Sequence, residues 1–365
     1  MVTGMNEVTK KLSLLRSLAH SHGVDALLLQ RVSSLAWATD GAAAYVNTAS
    51  SNGEASLLVT PDRQILFTNN IEAPRLEKDE GLLSQGWDFR VAPWFETNAA
   101  VRELTHSLKL GTDALFPDAL DLSGEIAHLR TDLTAAEGER FRSLGKLCAQ
   151  AMDCAARSVH PGQTEFEIAA LLMTETQKLG VQPIVCLIAT DERIFNFRHP
   201  LPTAKKLERY AMLILCGRQH GLVCSITRLV HFGHIPEEIQ HKAQAVAKVD
   251  AAMIAASRPG QSLGKIFLQT EEAYTKVGYP GEWRLHHQGG PAAYEPREYV
   301  ATPDSTEIVK PGQVYAWNPS ITGTKSEDTI LVGASGNEVL TAIPGWPMIK
   351  MDGSSLERPA ILEID

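Results

Sequence analysis

The sequence lacks several features that would place it in a specialised class of protein. No apolar run approaches the ~20 residues that a membrane-spanning helix needs, and the opening residues, MVTGMNEVTK, contain no apolar segment typical of a signal peptide. No cluster of Lys and Arg exceeds a few residues, and no internal repeat or low-complexity segment occurs. These absences predict a globular protein whose partners include neither a membrane nor a nucleic acid.

Cysteine is scarce, and its pattern predicts no covalent cross-links. The sequence has five cysteines, an odd number, and they are Cys148, Cys154, Cys186, Cys216 and Cys224. Each lies in an apolar context, and no Cys-x-x-Cys spacing occurs. Because disulfides persist mainly in oxidising compartments, this usage predicts buried, reduced thiols in a cytoplasmic protein.

The chain is long and apolar enough to form more than one hydrophobic core. It has 365 residues, of which 44% are hydrophobic, and a formal net charge of −9. Domains commonly hold about 100–200 residues, so the length predicts two of them. We expect one domain over residues 1–132 and a second over residues 133–365, with the boundary just before a helix start signal.

Helices and strands alternate through the N-terminal region. An amphipathic pattern predicts a helix over 6–22, and the apolar run at 24–29 predicts a buried strand. A Pro-Asp turn between the runs 56–60 and 64–67 predicts a hairpin. Further strands are predicted at 89–91 and 111–115, and further helices at 70–79 and 99–108. This alternation predicts a small α/β domain with helices packed on a mixed sheet.

Helix start signals mark the C-terminal region. Thr134 followed by Glu137, and Thr164 followed by Glu167, each match the capping box, in which two side chains satisfy backbone N–H groups at a helix start. The predicted helices cover about 134–159, 164–179, 236–257 and 263–277. Strands lie between them, which predicts an α+β domain with helices outside a curved antiparallel sheet.

The stretch 283–332 concentrates polar groups that a solvated surface does not easily explain. His286 and His287 precede two glycines, which let a backbone approach a ligand closely. Two β-rich runs in this stretch predict strands, and Asn318 closes the first while Glu327 opens the second. A histidine pair, an amide and a carboxylate on neighbouring elements could therefore surround a small substrate.

Three motifs in this stretch occur in a characteristic order and spacing. They are His-x-x-Gly at 287–290, a Pro-Gly motif that ends in Asn-Pro at 311–319, and Lys-x-Glu-Asp-Thr at 325–329. In this order they resemble the creatinase/aminopeptidase P/methionine aminopeptidase family, the pita-bread hydrolases of peptidase M24 type. The resemblance implies a pita-bread C-terminal domain preceded by a smaller creatinase-type N-terminal domain.

The resemblance also implies two metal ions held by two Asp, one His and two Glu, and the chain departs from that pattern. Ser225 stands at the second Asp position, and a count back without gaps puts Ile214 at the first. Asn318 replaces the first Glu, so only His287 and Glu327 remain. Hard divalent cations need several anionic oxygen ligands. We therefore expect no metal ion and no other cofactor.

One alternative metal site uses sulfur ligands. Cys216 and Cys224 lie near one turn and could bind Zn²⁺ together with His287. This arrangement requires the intervening turn to bring both thiols to the same face of the hairpin.

Loss of metal ligands does not imply loss of catalysis. Creatinase, in the same family, hydrolyses a C–N bond without metal, which implies that His287 is an acid/base here and that Glu327 orients it. The alternative is a buried histidine hydrogen-bonded to a glutamate in a site that has lost its activity.

Further residues are candidates for substrate contact, some through the resemblance and some through their chemistry. These are His199, Arg198, Asn318, Tyr294, Arg297, Ser225 and His286. The two arginines could bind a carboxylate bidentately or lie on the surface. Tyr294 could donate a hydrogen bond to an oxyanion or pack in the core.

These observations predict a metal-independent, creatinase-like hydrolase of a C–N bond in a small amino-acid derivative or a guanidino or amidino compound. One alternative is an Xaa-Pro aminopeptidase- or dipeptidase-like enzyme with an unusual or single metal ion. Another is an inactive homologue that binds a peptide or metabolite. The family resemblance also implies a homodimer.

Overall fold

The computed structural model describes residues 6–351 and 356–365. Contacts between residues divide the chain into two units. Unit 1 holds residues 1–131 together with 220–222, and unit 2 holds 132–219 and 223–365.

Unit 1 contains five α-helices, a short 3₁₀ helix (Leu82–Gln85) and six strands among its described residues. In chain order the α-helices and strands are α1 (Glu7–Ser21), β1 (Ala26–Arg31), α2 (Val32–Ala38), β2 (Asn52–Val59), β3 (Gln64–Asn69), α3 (Ala73–Lys78), β4 (Asp88–Ala92), α4 (Thr97–Thr105), β5 (Leu110–Thr112), β6 (Leu120–Asp121) and α5 (Ser123–Thr131). The predicted helices and strands of this region are all present, with ends that shift by a few residues.

The strands of unit 1 form one mixed sheet in the order β4-β3-β2-β1-β5-β6. β2 pairs antiparallel with both β1 and β3, whereas β1–β5, β3–β4 and β5–β6 pair in parallel. Apolar side chains of β1, β2 and β3, among them Leu28, Leu58 and Phe67, are buried on one face. The predicted α/β arrangement on a mixed sheet is therefore confirmed.

Helix α2 was not predicted, and its burial explains why. All seven of its residues, Val32–Ala38, are buried. A helix that is surrounded by other residues has no polar face, so its sequence lacks the 3.6-residue alternation that marks surface helices.

Unit 2 holds the remaining elements. They are α6 (Ala135–Ser158), α7 (Glu165–Lys178), β7 (Gln182–Thr190), α8 (Glu192–Asn196), β8 (Tyr210–Gln219), β9 (Leu222–Phe232), α9 (Glu237–Ala256), α10 (Leu263–Lys276), β10 (Gly289–Ala292), β11 (Val314–Trp317), β12 (Ser320–Ile321), β13 (Thr324–Lys325), β14 (Asp328–Val332), β15 (Asn337–Val339), β16 (Met348–Lys350), β17 (Glu357–Pro359) and β18 (Leu362–Ile364). The four long helices lie where they were predicted.

Both predicted capping boxes are formed. The Thr134 hydroxyl accepts from the Glu137 N–H, and the Glu137 carboxylate accepts from the Thr134 N–H at 2.7 Å. Thr164 and Glu167 make the same reciprocal pair at the start of α7. These bonds satisfy N–H groups that the first turn of a helix otherwise leaves without partners.

Two four-stranded sheets carry the core of unit 2, in the orders β18-β9-β8-β7 and β10-β11-β14-β15. All recorded pairings in the second sheet are antiparallel, and β18 pairs in parallel with β9 in the first. An antiparallel bridge between Thr227 and Glu327 connects the two sheets. Side chains of α9 and α10 pack against β11 and β14. The predicted α+β class is confirmed, with one parallel edge strand added.

No helix in residues 6–351 or 356–365 is both long and apolar enough to cross a membrane.

Candidate active site

Strand pairing brings the predicted site residues together. On β11, Trp317 is paired both with Gly289 on β10 and with Asp328 on β14. The residues just beyond these pairs therefore lie side by side, and the Asn318 N–H donates to the Gln288 carbonyl at 3.1 Å. The sequence predicts that Asn318 closes one strand and that Glu327 opens the next. The strand register agrees, because the adjacent residues Trp317 and Asp328 are paired.

Two glycines permit this close pairing. Gly289 has φ +103°, which favours glycine, and an added Cβ would collide with the carbonyl oxygen of Ala316. A Cβ on Gly290 would collide with the carbonyl oxygen of Tyr299. The predicted close backbone approach is present, but it is made to neighbouring protein backbone.

Glu327 is a buried carboxylate held by two cations and a hydroxyl. It is 2% exposed and bonds with Lys325 Nζ at 2.8 Å, Arg297 Nη2 at 3.0 Å and Thr227 Oγ1 at 2.5 Å. Burial raises the pKa of Glu327, but Lys325 and Arg297 more than offset that effect and lower the pKa to about 2. The carboxylate is therefore ionised, and both of its oxygens are bonded to protein groups.

The expectation that Glu327 orients His287 is wrong. Within residues 6–351 and 356–365, no hydrogen bond joins Glu327 to His287, and the His287 Nδ1 is buried without a partner. The cations Lys325 and Arg297 take the carboxylate oxygens instead, because a buried carboxylate gains more from a charged donor than from a neutral imidazole.

Arg297 fills the space beside these residues. Its Nη1 donates to Ser225 Oγ at 3.1 Å, and its Nη2 donates to Glu327. Its side chain is only 9% exposed. A guanidinium thus bridges two positions at which the family resemblance implies metal ligands. It does not lie on the surface, and its contact with a substrate stays a prediction.

Cys216 is the residue of β8 that contacts Ser225. The Cys216 Sγ lies 3.2 Å from the Ser225 Oγ, whereas Ile214 packs in an apolar cluster with Met212 and Leu229. The ungapped count put Ile214 at the first Asp position, but the β8 side chain that contacts Ser225 is that of Cys216, two residues later.

The residues at these positions do not fit a centre of two divalent cations. Cys216, Ser225 and Asn318 offer only neutral ligand atoms. The Ser and Asn side chains carry no charge, and burial raises the pKa of the Cys216 thiol. The remaining carboxylate, Glu327, already forms ion pairs with two cations, Lys325 and Arg297. Two like-charged metal ions need bridging carboxylates, and the one carboxylate of this cluster, Glu327, is already bonded to Arg297 and Lys325.

Three imidazoles converge beside this cluster. The Nε2 atoms of His199 and His286 are 3.0 Å apart, and the ring centroids of His286 and His287 are 4.5 Å apart. Chiefly through burial, the pKa of His286 is lowered to about 2 and that of His287 to about 4. All three rings have lowered pKa values, so they are neutral near pH 7.

Several polar atoms at the site have no partner within the described part of the chain. They are the Nδ1 atoms of His286 and His287, the Nε of Arg297 and the Oδ1 of Asn318. Asn318 is 3% exposed and His286 is 8% exposed. Buried polar atoms without partners are rare in proteins and are commonest where a ligand or water completes the site.

Two predicted substrate contacts are used elsewhere in the structure. The Tyr294 hydroxyl is buried and donates to Glu137 Oε1 at 2.6 Å, so Tyr294 is a core residue. Arg198 Nη2 bonds with Glu282 at 2.5 Å and with the Thr322 hydroxyl at 3.0 Å. The expectation for Tyr294 is corrected, because its hydroxyl already has a strong partner. Substrate contact by Arg198 stays a prediction, since the recorded bonds use only its Nη2.

The sulfur-based zinc site does not form. Cys216 contacts Ser225, and Cys224 is the neighbour of Ser225 on the same strand, so the Cys224 side chain points to the opposite face. Among the described residues, the three histidines are the group of three or more that could hold a metal ion.

Sequence reasoning missed Thr227 as a site residue and Arg297 as the partner of Glu327. Thr227 lies two residues after Ser225 on β9, so strand alternation places both on one face and could have identified it. Arg297 follows Pro296 in a loop, where no periodicity predicts the direction of a side chain. Lys325, the other cation bonded to Glu327, belongs to the Lys-x-Glu-Asp-Thr motif at 325–329.

A second buried charge network lies next to Glu327. Arg358 Nη2 bonds with Asp250 and Asp328 at 2.6 Å each, and Arg228 Nη2 bonds with Asp328 at 2.8 Å. The side chains of Arg358, Asp250 and Asp328 are about 1% exposed. The network anchors β14 at the residue that follows Glu327.

A family model matches more than half of the chain. The model for metallopeptidase family M24 matches residues 139–334, which contain every site residue described above except Arg358. An uncharacterized peptidase of Staphylococcus haemolyticus is 27% identical over 233 residues, which is 60% of this chain. The match spans 65% of that relative's own length.

Solved structures with the same fold extend over nearly the whole chain. The prolidase from Pyrococcus horikoshii has a TM-score of 0.79 at 17% identity, with 92% of this chain and 98% of the prolidase covered. The N-terminal domain of the FACT complex subunit SPT16 from chickpea has a TM-score of 0.70 at 14% identity, with 93% and 96% covered. At these identities the likeness establishes the pita-bread fold alone.

Proposed function

The chain belongs to metallopeptidase family M24, and from this membership we propose that it hydrolyses a C–N bond in a small amino-acid derivative or a guanidino or amidino compound. The reaction is creatinase-like and proceeds without the family's pair of metal ions.

One observation carries this proposal, namely the bridge that Arg297 makes between Ser225 and Glu327. The positive charge that two metal ions supply in the related peptidases is supplied here by Arg297 and Lys325. Fixed cations in a buried site can stabilise negative charge that develops on a substrate during hydrolysis. In this proposal Arg297 and Lys325 therefore supply the electrostatic stabilisation that metal ions would otherwise supply.

His287 is the proton-transfer group in this proposal. Its neutral imidazole accepts a proton from the attacking water as the oxygen bonds to the substrate carbon, and it returns that proton to the nitrogen when the C–N bond breaks. The free Oδ1 of Asn318 can accept a hydrogen bond from an N–H of the substrate.

The charges of the site favour an anionic substrate. Lys325 and Arg297 carry two positive charges against one negative charge on Glu327, so the three side chains have an excess of one positive charge. A carboxylate on an amino-acid derivative would balance it, because an isolated buried charge is costly.

Chelation tests the absence of metal chemistry. Once a metabolite screen has identified a substrate, we expect EDTA not to lower kcat and added Mn²⁺ to give no increase. Elemental analysis of the purified protein should show no manganese and no pair of metal ions per chain. Loss of turnover with EDTA that Mn²⁺ restores would refute the metal-free reaction.

A single-metal peptidase is the second candidate. It is favoured by the convergence of His199, His286 and His287, since neutral imidazoles are good ligands for a transition metal. This candidate predicts cleavage of Xaa-Pro dipeptides that depends on one metal ion per chain. A peptide panel with and without Zn²⁺ separates it from the first candidate.

A third candidate is a binding protein without catalytic activity. The SPT16 domain belongs to a subunit of a complex, so the fold is not confined to proteins named as peptidases. Ligand binding by calorimetry without turnover in the same metabolite panel would support this candidate over both hydrolases.

We also propose that the protein is a homodimer. Unit 1 exposes Trp94, Phe95 and Leu115, with 63%, 66% and 101% relative exposure, and Trp94 and Leu115 line one groove. Exposed apolar patches commonly mark association surfaces.

Light scattering at micromolar concentration should therefore give a dimer for the wild type and a monomer for Leu115→Asp. Leu268→Asp, which changes an exposed leucine on α10, is the matched control and should remain dimeric. A monomeric wild type, or a dimer unaffected by Leu115→Asp, would contradict this interface.

A further inference from the structure

The three-histidine cluster is the group at this site that the proposed reaction uses least. His287 has a role in proton transfer, whereas His199 and His286 have none. The ligand nitrogens of all three residues lie within 4.8 Å of one another. His286 is buried and His199 is exposed, so the cluster extends from the interior to the surface.

We propose that His199, His286 and His287 form a site for one divalent transition-metal ion, Zn²⁺ or Co²⁺. This site differs from the family's two-metal centre, because it uses three imidazoles and no carboxylate.

The spacing of the imidazoles suits a tetrahedral ion. Zn–N bonds of about 2.0–2.1 Å place two ligand nitrogens about 3.3 Å apart. The Nε2 atoms of His199 and His286 are 3.0 Å apart, so a small outward rotation satisfies that geometry. His287 lies on the same side, with its ring centroid 5.7 Å from that of His199 and 4.5 Å from that of His286.

The chemistry of the cluster selects the kind of ion. Imidazole nitrogens suit Zn²⁺, Co²⁺, Ni²⁺ and Cu²⁺, whereas Mg²⁺, Ca²⁺ and Mn²⁺ prefer carboxylate and carbonyl oxygens. The buried Nδ1 atom of His287 has no partner within residues 6–351 and 356–365. His199, at the surface, gives an ion access to the cluster.

Charge near the cluster limits the affinity. The positive charges of Arg297 and Lys325 help to lower the pKa of His287. The single negative charge of Glu327 compensates for only one of them. A metal ion therefore binds against one excess positive charge and should exchange with solution. An anion at the fourth coordination position would reduce that cost.

Occupancy of the site has a consequence for catalysis that rests on the proposed function. A metal ion on His287 takes the lone pair that the hydrolytic step needs to accept a proton. The three-histidine site would then act as a reversible metal-dependent inhibitor of the reaction.

Titration of the metal-free, full-length protein tests the site directly. Co²⁺ should give the visible absorption of a tetrahedral complex that saturates at one ion per chain, and Zn²⁺ should displace it. Loss of a group that only orients a metal ligand costs about 10–100-fold in affinity, so loss of an imidazole ligand in His199→Ala or His286→Ala should weaken Zn²⁺ binding by about 100-fold or more. His234→Ala, which removes a histidine side chain that is 86% exposed, should bind as the wild type does.

Equal Zn²⁺ affinity in the wild type and His199→Ala would overturn the site, and so would the absence of saturable Co²⁺ absorption. His199 is exposed, so His199→Ala should fold even if His286→Ala does not.

Activity then separates the site from the proposed function. Inhibition by Zn²⁺ that EDTA reverses supports both. A rate that rises with Zn²⁺ occupancy supports the site and overturns the metal-free reaction together with the inhibitory role.

Discussion

Replacing His287 with Ala should lower kcat by about 10²–10⁴-fold on the substrate found by a metabolite screen, which is the usual contribution of one positioned proton-transfer group. The physical reason is that no neighbouring neutral base can replace it in the same place. His286 is directed toward His199, with their Nε2 atoms 3.0 Å apart. Steady-state kinetics provide the measurement, with thermal unfolding to establish that the variant is folded.

His234→Ala serves as the control, because its side chain is 86% exposed and its recorded ion pair is with Glu363, which is not a site residue. Its kcat should equal that of the wild type. A wild-type rate in His287→Ala would contradict the role of His287 in proton transfer and would assign the reaction to a different site.

Replacing Arg358 with Met should destabilise the protein by about 3–5 kcal/mol, the usual cost of removing one partner from a buried ion pair. Asp250 and Asp328, which are both about 1% exposed, lose a donor that bonds to each at 2.6 Å. Arg228 still holds Asp328, so Asp250 is the carboxylate left with the larger deficit. Urea unfolding, followed by a signal from unit 2, measures the change.

Arg142→Met is the matched control for this prediction. Arg142 also pairs with two carboxylates, those of Glu139 and Glu338, but its side chain is 34% exposed. Exposed ion pairs contribute about 0–1 kcal/mol, so the control should lose little stability. Equal losses in the two variants would show that burial does not set the strength of the Arg358 network.

Much of the fold could be predicted because its signals are local. The capping boxes at Thr134 and Thr164 mark helix starts through contacts between residues three apart. The placement of Asn318 and Glu327 next to neighbouring strand ends followed from the strand pattern and a short connection. Both kinds of inference depend on residues that are close in sequence, where geometry leaves few options.

The partners of the site residues were less predictable, because they depend on contacts between distant segments. Arg297 reaches Ser225 across 72 residues of sequence, and the Tyr294 hydroxyl reaches Glu137 across 157. Whether a tyrosine or an arginine faces a substrate or another buried group depends on which acceptor lies opposite it in the folded chain. The sequence pattern carries no information about that acceptor.

The buried Arg358 also has a consequence for the order in which the protein is made. Its two carboxylate partners, Asp328 and Asp250, precede it by 30 and 108 residues. The ribosome therefore finishes β14, which begins at Asp328, before it adds Arg358, the cation that balances the buried negative charge there. Since domains can begin to fold during synthesis, unit 2 must wait for residue 358 before its interior charges balance. A nascent chain stalled before that residue should therefore remain bound by chaperones and sensitive to proteases. This is expected even though the three histidines and every residue bonded to Glu327 have already been synthesised.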